Sequence, residues 1–211
     1  MIQTYKYIVN DSIVGTGNDE YTLSQEEYAL IYSFYVTYSM CAKQSLKRRT
    51  FMDYGWESNN IQVVDNHKKR NTDLGNALIR VIDFSKLSTF IFTDKDDLEK
   101  QFSNNNLGDG ILTDYDVERC VIGQTSESNK YLKLFYRIRD GFAHGKFLLK
   151  RSSANEKMVI IQDDNGMNVT ARIVIKLSTL LQFVSCIDLN NTINFAPPVQ
   201  EEANPPQINV A

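Results

Sequence analysis

The chain is poor in histidine and cysteine, with two of the first and three of the second among 211 residues. The cysteines, Cys41, Cys120 and Cys186, are odd in number and far apart. That spacing suits neither a disulfide framework nor a zinc site, and points to reduced thiols in a cytoplasmic protein. Neither Cys-x-x-Cys nor His-x-x-x-His occurs, so no metal-ligand set is evident and no cofactor is expected. No apolar run reaches the ~18–20 residues that a membrane span needs. The first ten residues, Met1 to Asn10, lack a basic stretch followed by an apolar one, so no secretory signal is expected. An excess of positive charge is missing too. The formal net charge is −3, which argues against coating nucleic acid by bulk electrostatics but leaves room for a local basic patch.

What remains is ordinary globular material, 42% hydrophobic and rich in tyrosine (11) and phenylalanine (11). It suffices for one domain with a real core, expected over 1–195. From Ala196 the chain carries Pro197-Pro198, Glu201-Glu202 and Pro205-Pro206, the composition of a disordered tail. Residues 5–9 and 13–14 are β-prone. Ser24 and Glu27 form a capping box, with Leu23 and Tyr28 as its staple, opening a helix expected to end near Lys47. A second helix is expected over 72–92, then a short acidic one capped by Thr93 and another after Thr113. Asp94, Asp96, Asp97 and Glu99 lack the spacing of a calcium loop and read as a charged first turn.

The helix expected over 128–144 carries the most information. Tyr131, Phe135, Ile138 and Phe142 fall on one core stripe at ~100° per residue. Leu132, Tyr136, Arg139 and Ala143 form a second stripe, suited to another helix or a subunit interface. Gly145 is placed to end the helix. The period then changes to two. Strands are expected over 146–151, 158–163 and 169–176, with Asn165-Gly166 as a hairpin turn, and a last helix over 178–189.

Where that helix stops, Arg139, Asp140 and His144 stand within six residues. A histidine exchanges protons near neutral pH, and an arginine offers a charged planar fork that fits phosphate. The two suffice for RNA cleavage by the neighbouring 2′-hydroxyl. A plainer reading stays open, with Arg139 paired to Asp140 and His144 as a cation at a helix C-terminus. Residues five apart on an ideal helix also diverge by ~140°. Either the helix end distorts, helped by Gly141 and Gly145, or two copies pool their residues, with Gly141 letting a second backbone approach.

The stretch Ile138-Arg139-Asp140-Gly141-Phe142-Ala143-His144-Gly145 resembles the motif of the HEPN superfamily. There an arginine and a polar residue precede a histidine, with four to six residues between arginine and histidine, at the end of a late helix. The resemblance implies a mostly α fold, a HEPN-like helical bundle with a small antiparallel β-hairpin or meander after the motif helix. It implies a metal-independent RNA endonuclease of the toxin or defence type, with Arg139, Asp140 and His144 in a composite site at a homodimer interface. The alternative is a non-catalytic module that binds nucleotide, RNA or protein. RNA would need a basic rim, for which Lys133, Arg137, Lys146 and the run Lys68, Lys69 and Arg70 are candidates. Lys43, Lys47, Arg48 and Arg49 form another basic cluster, and both clusters also read as solvated helix ends. His67 reads as a surface residue. An antitoxin or regulatory protein fits as a further partner. HEPN toxins that are silenced by tyrosine modification carry that tyrosine two residues after the histidine. Here the position is Lys146, so a nucleotidyltransferase partner is not implied.

Overall fold

The computed structural model describes residues 20–41, 48–84, 90–108, 115–123, 127–165 and 168–193. The β-prone segments before residue 15, Lys43, Lys47 and the tail from Ala196 lie outside the described residues. The helix expected after Thr113 does not form over the described residues that follow, since 115–118 bend without helical structure and 119–123 are a strand.

Ser24 caps the first helix as its sequence requires. Its hydroxyl accepts from the Glu27 amide at 3.1 Å, and the Glu27 carboxylate accepts from the Ser24 amide at 2.8 Å. Helix α1 (Gln25–Ile31) then widens into a π-helical turn (Tyr32–Thr37) and stops. It does not run on towards Lys47, because the backbone beyond it is committed elsewhere. The Cys41 amide donates to the Arg49 carbonyl at 2.8 Å, and the Arg49 amide to that of Ser39 at 3.2 Å. Strands β1 (Gln62–Asp65) and β2 (Lys68–Asn71) form an exposed hairpin. Asn66 and His67 turn it, at φ 50° and 63°, the left-handed pair of a two-residue hairpin loop. Helix α2 (Asp73–Val81) follows, capped by Thr72.

The remaining elements build the sheet and its cover. They are β3 (Phe90–Thr93), α3 (Leu98–Asn104), β4 (Arg119–Gly123), α4 (Lys130–Ala143), β5 (Phe147–Arg151), β6 (Lys157–Asp164), β7 (Val169–Lys176) and α5 (Leu177–Ile187). Strand order is β3-β4-β7-β6-β5. Only β3 and β4 run parallel. Alternation assigns the two faces. Cys120, Ile122, Val159, Ile161, Ala171, Ile173 and Ile175 pack with residues of α1, the π-turn, α2, α4 and α5. Val121, Met158, Ile160 and Val174 pack with Leu98 and Phe102 of α3 and with Leu107. On that second face Arg172 is buried, its Nη1 donating to the Leu107 carbonyl at 2.7 Å and its Nε to Gln162 at 3.1 Å.

The expected mostly α fold, a HEPN-like helical bundle with a small β-hairpin or meander after the motif helix, is therefore wrong. The chain is a mixed α/β structure around a five-stranded sheet, with a separate hairpin. The three strands after the motif helix are present, but they join β4 and β3 to form a full sheet. Two short strands concealed this. The expected second helix ends at Val81, where Ile82 is extended (φ −138°, ψ 121°). Residues 90–93 form β3, so Thr93 closes a strand and caps no helix. A short apolar run cannot by its period distinguish strand from helix. All five residues of β4 are buried. Covered on both faces, it shows no alternation. Among the described residues no helix is long and apolar enough to cross a membrane.

Candidate functional site

Helix α4 crosses the face of the sheet that carries Ile161. Asn129 caps it, its side-chain oxygen accepting from the amides of Tyr131 (2.9 Å) and Leu132 (3.3 Å). Tyr131, Phe135, Ile138 and Phe142 are all buried, as their stripe requires. Leu132 is buried as well, so the second stripe begins inside the chain's own core. Gly141 faces β6, where an added Cβ would sit 2.2 Å from Ile161 Cγ2. The missing side chain thus serves close packing of α4 on its own sheet, not the approach of another backbone.

The helix ends in a closed turn. The Lys146 amide donates to the Gly141 carbonyl at 2.7 Å and the Gly145 amide to that of Phe142 at 3.2 Å. Gly145 takes φ 65°. Together these make a Schellman motif, with His144 as the C-cap. The Tyr32 hydroxyl donates to the Phe142 carbonyl at 3.1 Å, tying the π-turn to this helix end. His144 is left exposed on a rigid corner.

Arg139 turns onto its neighbour. Its Nε donates to Asp140 Oδ1 at 2.8 Å, and its Nη2 meets the same oxygen. The two side chains are 27% and 20% exposed. The turn beyond them is undistorted, with the His144 amide donating to the Asp140 carbonyl at 3.1 Å. Arg139 and His144 therefore keep their divergence of ~140°. That divergence is of their Cα positions; Asp140, onto which the Arg139 side chain turns, lies only ~40° from His144 on the same wheel.

The neighbouring charges are paired. Arg137 Nη1 lies 2.5 Å from Asp163 Oδ2, and that Asp163 side chain is only 3% exposed. The Thr170 hydroxyl donates to the same oxygen at 2.9 Å. Burial pushes the Asp163 carboxyl above the usual carboxylate range; Arg137 opposes this and Asp140 adds to it. Lys146 Nζ lies 2.8 Å from Asp164. Arg137, Arg139 and Lys146 thus face Asp140, Asp163 and Asp164 at this end of α4. The other cations of the expected rim lie away from it. Lys133 Nζ is 5.6 Å from the Phe92 ring centroid. Lys68, Lys69 and Arg70 stand on the exposed hairpin with His67 at its turn, and Arg70 is paired with Asp65 at 2.5 Å. Sequence reasoning missed Asp163, Asp164 and Thr170. The period of β6 held a clue, since Val159, Ile161 and Asp163 share one face.

Among the described residues no group of three or more His, Cys, Asp and Glu side chains converges to hold a metal ion. Comparison with family models, with curated proteins and with solved structures gives no match to this chain.

Proposed function

We propose that the chain is a metal-independent endoribonuclease whose site, formed by Arg139, Asp140 and His144, is completed by a second copy of the same chain. The observation that carries this reading is the corner at the end of α4. A Schellman turn holds an exposed imidazole, and one turn earlier stands a guanidinium whose carboxylate partner is itself exposed enough to be displaced. In the reaction the RNA 2′-oxygen attacks the adjacent phosphorus and the bond to the 5′-oxygen breaks. His144 takes the proton from the 2′-hydroxyl or returns one to the leaving oxygen. Arg139 exchanges Asp140 for the phosphorane oxygens and stabilises their charge. The products are a 2′,3′-cyclic phosphate and a 5′-hydroxyl. Since the two groups of one chain diverge, each phosphate meets the Arg139 of one copy and the His144 of the other.

A second reading is a non-catalytic module that binds nucleotide, RNA or protein. The observation favouring it is the pairing of Arg139 by Asp140 in the isolated chain. The two separate in one experiment, incubation of wild type and His144→Ala with total RNA in EDTA. Cleavage by wild type, lower by ~10²–10⁴-fold in the folded variant, is expected for a proton-transfer residue. Absence of cleavage by wild type, or equal cleavage by both, refutes the catalytic reading. Mixed dimers of wild type with an Arg139→Ala, His144→Ala chain should show far less than half of wild-type activity.

A further inference from the structure

A short ladder of aromatic rings leads from the core to the surface beside the corner that holds His144. Its inner end is the buried Phe142. The Tyr32 ring meets Phe142 edge-on, with centroids 5.8 Å apart, and Tyr28 stacks on Tyr32 at 4.2 Å with an interplanar angle of 22°. Tyr28 and Tyr32 are four residues apart across the junction of α1 with the π-turn, so they share one face of that helix. The Tyr32 hydroxyl donates to the Phe142 carbonyl at 3.1 Å, the same oxygen that accepts from the Gly145 amide. The ladder and the Schellman turn are therefore fixed to one atom, two residues before His144.

Tyr28 is the outer rung and has a face to spare. Tyr32 covers one side of its ring, yet the residue remains 49% exposed, which leaves the opposite face and the hydroxyl edge in solvent. The exposed residues of α1 and of the corner are otherwise polar or small: Gln25, Glu26, Ala143 and His144. Among the described residues of α1 and of 139–147, no other large apolar side chain is exposed. The core of a protein interface needs a wider contiguous apolar patch. One flat aromatic face rimmed by polar groups fits a single nucleobase.

We propose that Tyr28 is a stacking platform for one base of single-stranded RNA, set so that the nucleotide it holds neighbours the phosphate at His144. Every base has a π-face, so the platform tolerates any sequence. Its hold does not depend on charge. That matters here, because Arg137, Arg139 and Lys146 are already paired with carboxylates and the formal net charge is −3. Phosphate attraction alone gives such a corner little grip on RNA.

The ladder also makes the platform rigid. The hydrogen bond from Tyr32 to Phe142 fixes the ring on which Tyr28 lies, so little freedom is lost when a base arrives. Since the same carbonyl joins ladder and corner, the Tyr28 and His144 that serve one nucleotide belong to the same copy. In the proposed assembly Arg139 comes from the other. The placement beside the reacting phosphate rests on the ribonuclease reading, whereas the binding of a base rests on the ladder alone.

The test uses the full chain carrying His144→Ala, so that RNA is bound and not cut. A fluorescein-labelled uridine decamer is titrated by anisotropy into this parent and into versions that add Tyr28→Phe, Tyr28→Leu or Tyr28→Ala. Loss of one base–aromatic stack should weaken binding ~5- to 150-fold in the Leu and Ala versions, while Tyr28→Phe, which keeps the ring face, should stay within ~2-fold of the parent. An abasic decamer of equal charge should bind parent and Tyr28→Ala alike, and the salt dependence should not change, since no phosphate contact is lost. Equal uridine-decamer binding by all versions, equal losses with the abasic strand, or no saturable binding by the parent overturns the proposal. So does a shift from dimer to monomer in Tyr28→Ala by light scattering, which would assign the ring to the second copy. With His144 restored, Tyr28→Ala should raise KM for cleavage in EDTA and leave kcat unchanged, as loss of uniform binding does; an unchanged KM overturns the placement beside His144. Tyr28-dependent binding without any wild-type cleavage removes the ribonuclease reading and leaves the base platform standing. Cleavage without Tyr28-dependent binding removes the platform alone.

Discussion

Arg137→Met should destabilise the protein, and by an amount that depends on pH in a calculable way. Methionine keeps the apolar stem and removes the charge. Asp163, 3% exposed, then loses the cation 2.5 Å away. Breaking a buried ion pair from one side costs ~3–5 kcal/mol. The carboxyl has an escape, since it can take up a proton. Protonation at pH 7 from an unfolded-state pKa near 3.9 costs about 1.36 kcal/mol per pH unit, so the electrostatic loss cannot exceed ~4 kcal/mol. At pH 4 that ceiling falls close to zero and only the packing loss remains. The sign follows from the direction of the shift. Asp163 already has a raised carboxyl pKa in the folded chain, and Arg137 restrains it. Without Arg137 the folded state binds its proton more tightly than the unfolded state does. Stability is then lost as pH rises from the unfolded value through the raised folded one. Urea denaturation of wild type and variant between pH 4 and 8 measures this. The expected difference is several kcal/mol at pH 7, shrinking steadily toward pH 4. Arg137→Met with Asp163→Asn should recover most of the loss. A difference under ~1 kcal/mol at pH 7, or one unchanged at pH 4, refutes the reasoning.

Three further outcomes are expected. Gly141→Ala should destabilise by ~1–3 kcal/mol through overpacking against Ile161, where the same change at an open helix position would gain ~1 kcal/mol; denaturant midpoints with and without Ile161→Ala decide it. Cys120 is fully buried and its thiol pKa is pushed up by burial, so pulsed alkylation read by mass spectrometry should label it only on unfolding, after the partly exposed Cys186. Asp140→Asn in a His144→Ala background should raise affinity for an RNA oligomer about 2- to 5-fold, the worth of a part-exposed ion pair; a fall in fluorescence-anisotropy affinity would show that Asp140 does not compete with phosphate for Arg139.

The start of α1 and the end of α4 were legible in the sequence because their signals are local. Ser24 with Glu27 and Gly145 after α4 act within one turn of chain, whereas α1 and α2 stop well short of the expected Lys47 and residue 92. The strands β5, β6 and β7 were legible from their period and from the turns between them. Strands β3 and β4 were not, since pairing across thirty residues gives no local mark and double-sided burial erases alternation. The hairpin at 62–71 escaped because its turn is Asn66-His67 in place of a glycine pair, and because its strands are exposed on both faces. At the site, the core stripe of α4 and the exposure of His144 followed from spacing. The partners of Arg137 and Lys146 did not. Asp163 lies 26 residues from Arg137 and Asp164 lies 18 from Lys146, and only the sheet brings them near.

Two arginines stand two residues apart on α4, and burial separates their roles. Arg137 is 15% exposed against a carboxylate that is 3% exposed. Displacing either would strand a buried charge, which ties this pair to the fold. Arg139 is 27% exposed against a carboxylate at 20%, so water screens the pair and exchanging it for another anion costs only ~1 kcal/mol or less. A phosphate can compete for the second pair and not for the first. Asp140 stands four residues before His144, only ~40° from it on the wheel, so its contact draws Arg139 toward the flank that carries His144. The Cα positions of Arg139 and His144 nonetheless stand ~140° apart, which restricts how one chain can present both groups to one phosphate. In the proposed assembly a second chain removes that restriction, since its His144 approaches from outside the helix and no turn of α4 has to unwind.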